Sequence, residues 1–185
     1  MTSEQARHIV LVGIGGAGKT TVASKAGDVL GWTSVDTDDL IAEVVGVPAG
    51  DFFSAAGEPA FRDVEAFVLG NVLDELAPCV VATGGGAVLA DTNRELMREN
   101  ALVIWLRASI PTLVARVGSG KGRPTLGDDP AAAYQALLAT RHDVYEQAAH
   151  ETLHTDDLSL DQVTNAVVAL ARQHGLGTSV SGATP

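Results

Sequence analysis

Cysteine occurs once in the chain, as Cys79, so no internal disulfide is available, and the apolar stretch around it, 79–82, suits a buried thiol in a reducing compartment. Nothing near it in sequence would lower a thiol pKa, and no catalytic role is assigned to it. Apolar runs long enough to span a membrane are absent. The polar start, residues 1–8, also lacks the apolar core and small-residue cleavage site of a secretory leader, and a cytoplasmic location is expected. Basic residues are scarce: 12 Lys and Arg stand against 23 Asp and Glu, a net charge of -11. Such a surface repels nucleic acid and anionic membrane, so neither is expected as a partner. Any anionic ligand must then be captured by a few positioned arginines, lysines and backbone amides.

What is present is an ordinary globular balance, 46% hydrophobic and 19% charged over 185 residues, enough for one domain with its own core. Short apolar runs at 9–12, 33–35, 79–82, 102–106 and, more weakly, 152–154 alternate with helical periodicity at 19–30, 39–45, 58–76, 93–99, 110–117, 130–150 and 160–174. That alternation predicts an α/β fold, a parallel sheet covered by helices. The stretch GSGKGRPTLGDD, 118–129, has four glycines, a proline and no apolar period, and is predicted to be a mobile loop. The small, polar 175–185 is predicted to be a disordered tail following a single domain, 1–174.

Directly after the first apolar run comes GIGGAGKTT, residues 13–21, which matches G-x-x-x-x-G-K-[ST] between a predicted strand and a predicted helix. Its glycines allow successive N–H groups to turn inward and form a nest for phosphate at a helix N-terminus. Lys19 would reach the β- and γ-phosphates and Thr20 would ligate Mg²⁺. The guanine-reading N-K-x-D motif is absent, and the third strand runs into Thr83 and three glycines rather than into a metal-binding Asp. The remainder of the site must therefore lie elsewhere.

After the second strand, VDTDD places Asp36 and Asp38 at the carboxyl end of a parallel strand, where open α/β sheets bind ligands. Alternation along an extended segment would put both on one side, one for a metal and one for a nucleophile, while Asp39 suits a helix cap. GEPAFRDVE, 57–65, sets Arg62 and Glu65 three residues apart on one helix face with Phe61 beside them. TGGGA, 83–87, offers the amides of Gly84, Gly85 and Gly86 with no side chain in the way. Arg123-Pro124 falls in the loop, and Arg141 stands four residues before Tyr145 on a long helix.

In order and approximate spacing these elements, over residues 9 to about 155, resemble the shikimate kinase family, which is similar in fold to the nucleoside monophosphate kinases. The resemblance implies a three-layer P-loop kinase fold with a five-stranded parallel sheet and an ATP lid at about 117–128. It implies transfer of the γ-phosphoryl group of ATP, with Mg²⁺, to the 3-hydroxyl of shikimate on the route to aromatic amino acids. By the same resemblance Gly13, Gly15, Gly16, Ala17, Gly18, Lys19, Thr20 and Thr21 bind nucleotide, and Asp36 joins Thr20 in holding the metal, through water. Asp38 binds the shikimate hydroxyls and accepts the proton. Arg62 and Arg141 grip the carboxylate, with Phe61 beside them and Glu65 orienting Arg62. Gly84, Gly85 and Gly86 contact the substrate through their amides. Arg123 closes onto the phosphates and Arg116 stacks on adenine. ATP and shikimate are the expected partners of a monomeric enzyme.

The chain departs from the family at 155–160, TDDLSL, where a basic residue and a proline commonly complete the adenine clamp. Trp32 and Trp105 are expected in the core, and His150 with His154 is not expected to bind metal, because the predicted helix ends between them. Two other functions fit parts of the pattern. A kinase of the same fold acting on another hydroxy acid, such as gluconate, would carry different acceptor motifs. A nucleotide-binding regulator without transfer activity would not need Lys19, Asp38, Arg62, Arg123 and Arg141 together.

Overall fold

Five strands, all parallel, pair in the order β2-β3-β1-β4-β5, with β1 at His8–Val12, β2 at Thr33–Asp36, β3 at Cys79–Ala82, β4 at Ala101–Arg107 and β5 at Glu151–His154. The computed structural model describes residues 7–75, 77–117 and 129–177. β1 and β3 are buried along their whole length, as continuous apolar runs in a parallel sheet should be when helices cover both faces. The period of two then divides the core. Ile9, Leu11, Val80, Leu102 and Ile104 face α1 (Lys19–Leu30), α5 (Ile110–Val117) and α7 (Leu160–Gln173). Val10, Val12, Val81, Val103 and Trp105 face α3 (Ala49–Asp74), α4 (Asp91–Asn100) and the end of α6 (Pro130–Ala148). The result is the three-layer α/β architecture expected from the alternation of elements.

Strand order positions the site. From β1 the chain crosses to β2, returns through β3 beside β1, and then places β4 on the other flank of β1. The carboxyl ends of β1, β2 and β3 therefore open into one crevice at the point where the winding reverses. Three segments project there: 13–18 after β1, Asp36 and α2 (Thr37–Val45) at β2, and 83–86 after β3.

Several expectations are corrected. Helix α3 begins at Ala49, nine residues before the predicted start, with one break at Gly57, φ 82° and ψ 168°. Pro48, Gly50 and Gly57 read as turn residues, but Phe52 and Phe53 pack on Phe61 with ring centroids 6.3 and 5.3 Å away, and that contact holds the early turns in place. The predicted tail is also too long at its start. Leu176 is buried in the core beside α7, so packing runs past 174, while 178–185 lie outside the described residues. Trp105 is buried and stacked on Tyr145, and Trp32 packs at the core margin, both as expected. Cys79 is buried with its thiol pushed up to about 11 by desolvation, as befits an inert thiol. Among the described residues, no single helix is long and apolar enough to cross a membrane.

Candidate active site

The loop after β1 has the conformation its glycines allow. Gly13 has φ 145°, and a Cβ there would lie 2.7 Å from the Leu106 carbonyl oxygen, a backbone atom that cannot step aside. Gly16 and Gly18 also have positive φ, and Gly18 leads directly into α1. Lys19, 8% exposed, donates from Nζ to the carbonyls of Gly13 at 2.7 Å and Ile14 at 3.1 Å, so its charge arches back over the loop. The arrangement is a phosphate nest with its lysine at a helix N-terminus.

Asp36 and Asp38 do share the site, but not through strand alternation. The strand ends at Asp36, which caps α2 by accepting the Asp38 amide at 2.9 Å, and Asp38 already lies in the first helical turn. The cap is Asp36 rather than Asp39. The other Asp36 oxygen accepts the Thr20 hydroxyl at 2.6 Å, so an all-oxygen pair lies beside the lysine and suits a hard cation such as Mg²⁺. Asp38 is held above the ordinary carboxylate range, first by burial and then by repulsion from Asp36, against the pull of Lys19 and Arg62.

Opposite stand two arginines. Arg62 donates from Nη1 to Glu65 Oε2 at 2.6 Å, and Glu65 is 1% exposed. Burial raises the Glu65 pKa, and the Arg62 hydrogen bond opposes that rise. The second oxygen of Glu65, Oε1, has no hydrogen-bond partner among the described residues; with Asp38 Oδ1 it converges on Gly84, where a Cβ would lie 3.1 and 2.9 Å from the two oxygens. Arg141 comes from α6 and donates to the Gly85 carbonyl at 3.3 Å, while Tyr145 donates to the same oxygen at 2.6 Å. The Gly84 amide donates to Thr37 Oγ1 at 3.0 Å, so here it is engaged within the protein rather than turned toward a ligand. Arg62, Arg141, Asp38, Phe61, Lys19 and Thr20 line one cavity of about 860 Å³, together with Gly15, Gly16, Gly18, Thr21, Asp36 and Gly85.

Gly86 has a specific duty. Arg62 lies so close over its backbone that a Cβ there would collide with the guanidinium group. A side-chain tip can move where backbone cannot, so Gly86→Ala should fold normally and displace Arg62. The expected result is a KM for the acid substrate raised about tenfold or more, the scale of losing one charge-assisted hydrogen bond, with an unchanged melting temperature. An unchanged KM would remove Arg62 from the acid grip.

On the nucleotide side Arg116, which also lines the cavity, donates to Thr155 Oγ1 at 3.0 Å and to the Thr155 carbonyl at 2.6 Å. The divergent segment thus meets directly the arginine expected to stack on adenine. Asp156 accepts the Ser109 amide at 2.7 Å at the start of α5, and hydrogen bonds from the Ser109 side chain and backbone hold its pKa down at about 2. Arg123 lies outside the described residues, as does most of the expected lid.

Two contributors are not among the residues expected from the sequence. Tyr134, 1% exposed, donates its hydroxyl to the Gly15 carbonyl at 2.8 Å and ties α6 to the phosphate loop. The signal was available, since Tyr134, Arg141 and Tyr145 are seven and eleven residues apart and so share one helix face. Phe53 also lines the cavity, from the helical turns ahead of Gly57.

Known proteins agree with this geometry. The shikimate kinase family profile matches residues 15–172. The shikimate kinase of Symbiobacterium thermophilum is 42% identical over 172 residues, covering 91% of this chain and 98% of that protein. The structure of shikimate kinase from Acinetobacter baumannii in complex with shikimate superposes with a TM-score of 0.85 at 32% identity, covering 94% of this chain and 97% of the other. A gluconokinase from Sinorhizobium meliloti reaches a TM-score of 0.57 at 20% identity over 91% and 93% of the two chains, a likeness of fold alone. With the phosphate loop, the paired aspartates and the two arginines set around one crevice, and with relatives matching along nearly the full chain, this protein belongs to the shikimate kinase family.

Proposed function

We propose that the protein transfers the γ-phosphoryl group of ATP to the 3-hydroxyl of shikimate, giving 3-phosphoshikimate and ADP. The observation that carries this is the convergence of Arg62 and Arg141 on the cavity that also holds Lys19 and Asp38. Two guanidinium groups can meet a small carboxylate with paired hydrogen bonds and hold it against the field of an acidic protein. Asp38 lines the same cavity and is within electrostatic reach of both Arg62 and Lys19. Its carboxylate positions the ring hydroxyls and takes the proton of the attacking one, and its raised pKa makes it a better proton acceptor than an ordinary Asp. Lys19 neutralises the β- and γ-phosphates over the glycine nest.

Thr20 and Asp36 would hold Mg²⁺, with Asp36 acting through water, and the metal when bound would neutralise phosphate charge. The amides of Gly85 and Gly86 serve the acid side, and Glu65 fixes Arg62. Adenine stacks on Arg116, and backbone or Leu158 of the 155–160 segment replaces the usual second half of the clamp. The enzyme works in the cytoplasm as a monomer, on small molecules.

A coupled assay of ADP release tests this. ADP should form rapidly with Mg²⁺, ATP and shikimate, and at background rate with gluconate or with no acceptor. Equal rates with and without shikimate would overturn the proposal.

A further inference from the structure

Arg62 has five N–H donors, and an acid of the chain itself occupies the edge best shaped for an acid ligand. The Nε and Nη2 groups, which together form one two-donor edge of the guanidinium, both converge on a single oxygen, Glu58 Oε1, at 3.3 and 3.1 Å. Such an edge binds a free carboxylate through two parallel hydrogen bonds. The break at Gly57 makes this possible, because it starts a new helical segment at Glu58, one turn ahead of Arg62.

The two acids on Arg62 are not equivalent. Glu65 is 1% exposed and bonded at 2.6 Å, whereas Glu58 is 56% exposed and bonded at 3.1 Å or more. Glu65 is built in and Glu58 is free to swing into solvent. The charges matter too: one guanidinium between two carboxylates is net negative before any ligand arrives; Asp38 adds to that field and Arg141 opposes it. An acid substrate therefore meets repulsion from Glu58 as well as a hydrogen-bonding edge that is already taken.

We propose that Glu58 is an internal competitor for the substrate's carboxylate, closing the Nε/Nη2 edge of Arg62 when no acid is bound and leaving it when one binds, and so setting the enzyme's affinity for its acid acceptor. The inference rests on the proposed acceptor. An ordinary surface ion pair one helical turn long would leave binding unchanged when removed, and a residue needed to orient Arg62 would weaken it. A competitor makes the opposite prediction: its removal tightens binding.

The test is isothermal titration calorimetry of shikimate against the wild type, Glu58→Gln and Glu58→Ala, each checked by its melting temperature. Both variants should bind roughly two- to fivefold more tightly, the scale of one exposed ion pair. The methyl ester of shikimate, which lacks the charge and the fork-matching oxygens, should show no such gain. In steady-state kinetics the change should fall in KM. Equal or weaker binding of shikimate by both variants would overturn the inference, as would an equal gain for the ester. Failure of the wild type itself to bind shikimate would instead overturn the acceptor assignment, and this inference with it.

Discussion

Asp38→Asn should lower turnover by roughly 10²- to 10⁴-fold, the range spanned by a positioned general base, while leaving the fold intact. Asparagine keeps the shape of the side chain and can still meet hydroxyl groups, but it cannot take a proton. In the wild type the Asp38 carboxylate is disfavoured by burial and by Asp36, so a neutral group should not cost stability, and the melting temperature should stay level or rise. The raised pKa also has a sign that can be tested. A base must be ionised to accept a proton, so if Asp38 is the base activity should fall on the acid side at a pH above the ordinary Asp value of 3.8, and that limb should vanish in Asp38→Asn. Shikimate affinity measured in parallel separates loss of the base from loss of positioning. Turnover near the wild-type value would exclude both roles.

Arg123→Ala should lower turnover by about 10²-fold or more, with nucleotide affinity much less affected. Arginines that meet the transferring phosphoryl group contribute on the order of 10³ to 10⁵ in rate in other phosphoryl-transfer enzymes, because charge redistributes over its oxygens during the reaction. In the sequence Arg123 is followed by Pro124, in a segment otherwise rich in glycine. Closure of that segment over both substrates would exclude water and strengthen the contact. Lys121 lies two residues away and could supply charge without the planar fork, so the double replacement should be worse than Arg123→Ala alone. Turnover within about twofold of wild type at saturating ATP, Mg²⁺ and shikimate would make the segment a passive connector.

Much of the site was legible because its chemistry is carried by short contiguous motifs. Gly13 to Thr20 specify a phosphate nest through backbone angles that few residues besides glycine adopt, and the flanking apolar run and helical period supply its context. Arg62 and Glu65 could be paired from their spacing alone, and the structure joins them at 2.6 Å. Where local patterns failed, a packing contact or a helix cap had overridden them. The helical turns before Gly57 carry turn residues and are held by Phe61 from further along the chain. Strand alternation predicts Asp36 and Asp38 on one side, and they meet instead because Asp36 stops the strand and caps α2.

By itself the sequence determined the fold class, the phosphate loop and the residue types needed to seize a small acid, because periodicity and glycine-specific angles are local properties. Only the tertiary structure decided the partners that lie far along the chain. Arg62 reaches Glu65 and Glu58 along its own helix, but its guanidinium is seated against Gly86, 24 positions along the chain. Tyr134 reaches Gly15 across 119 positions. Hydrogen bonds and close approach act over a few ångströms of space whatever the separation in sequence, so they became visible once the parallel sheet brought the ends of β1, β2 and β3 to one crevice.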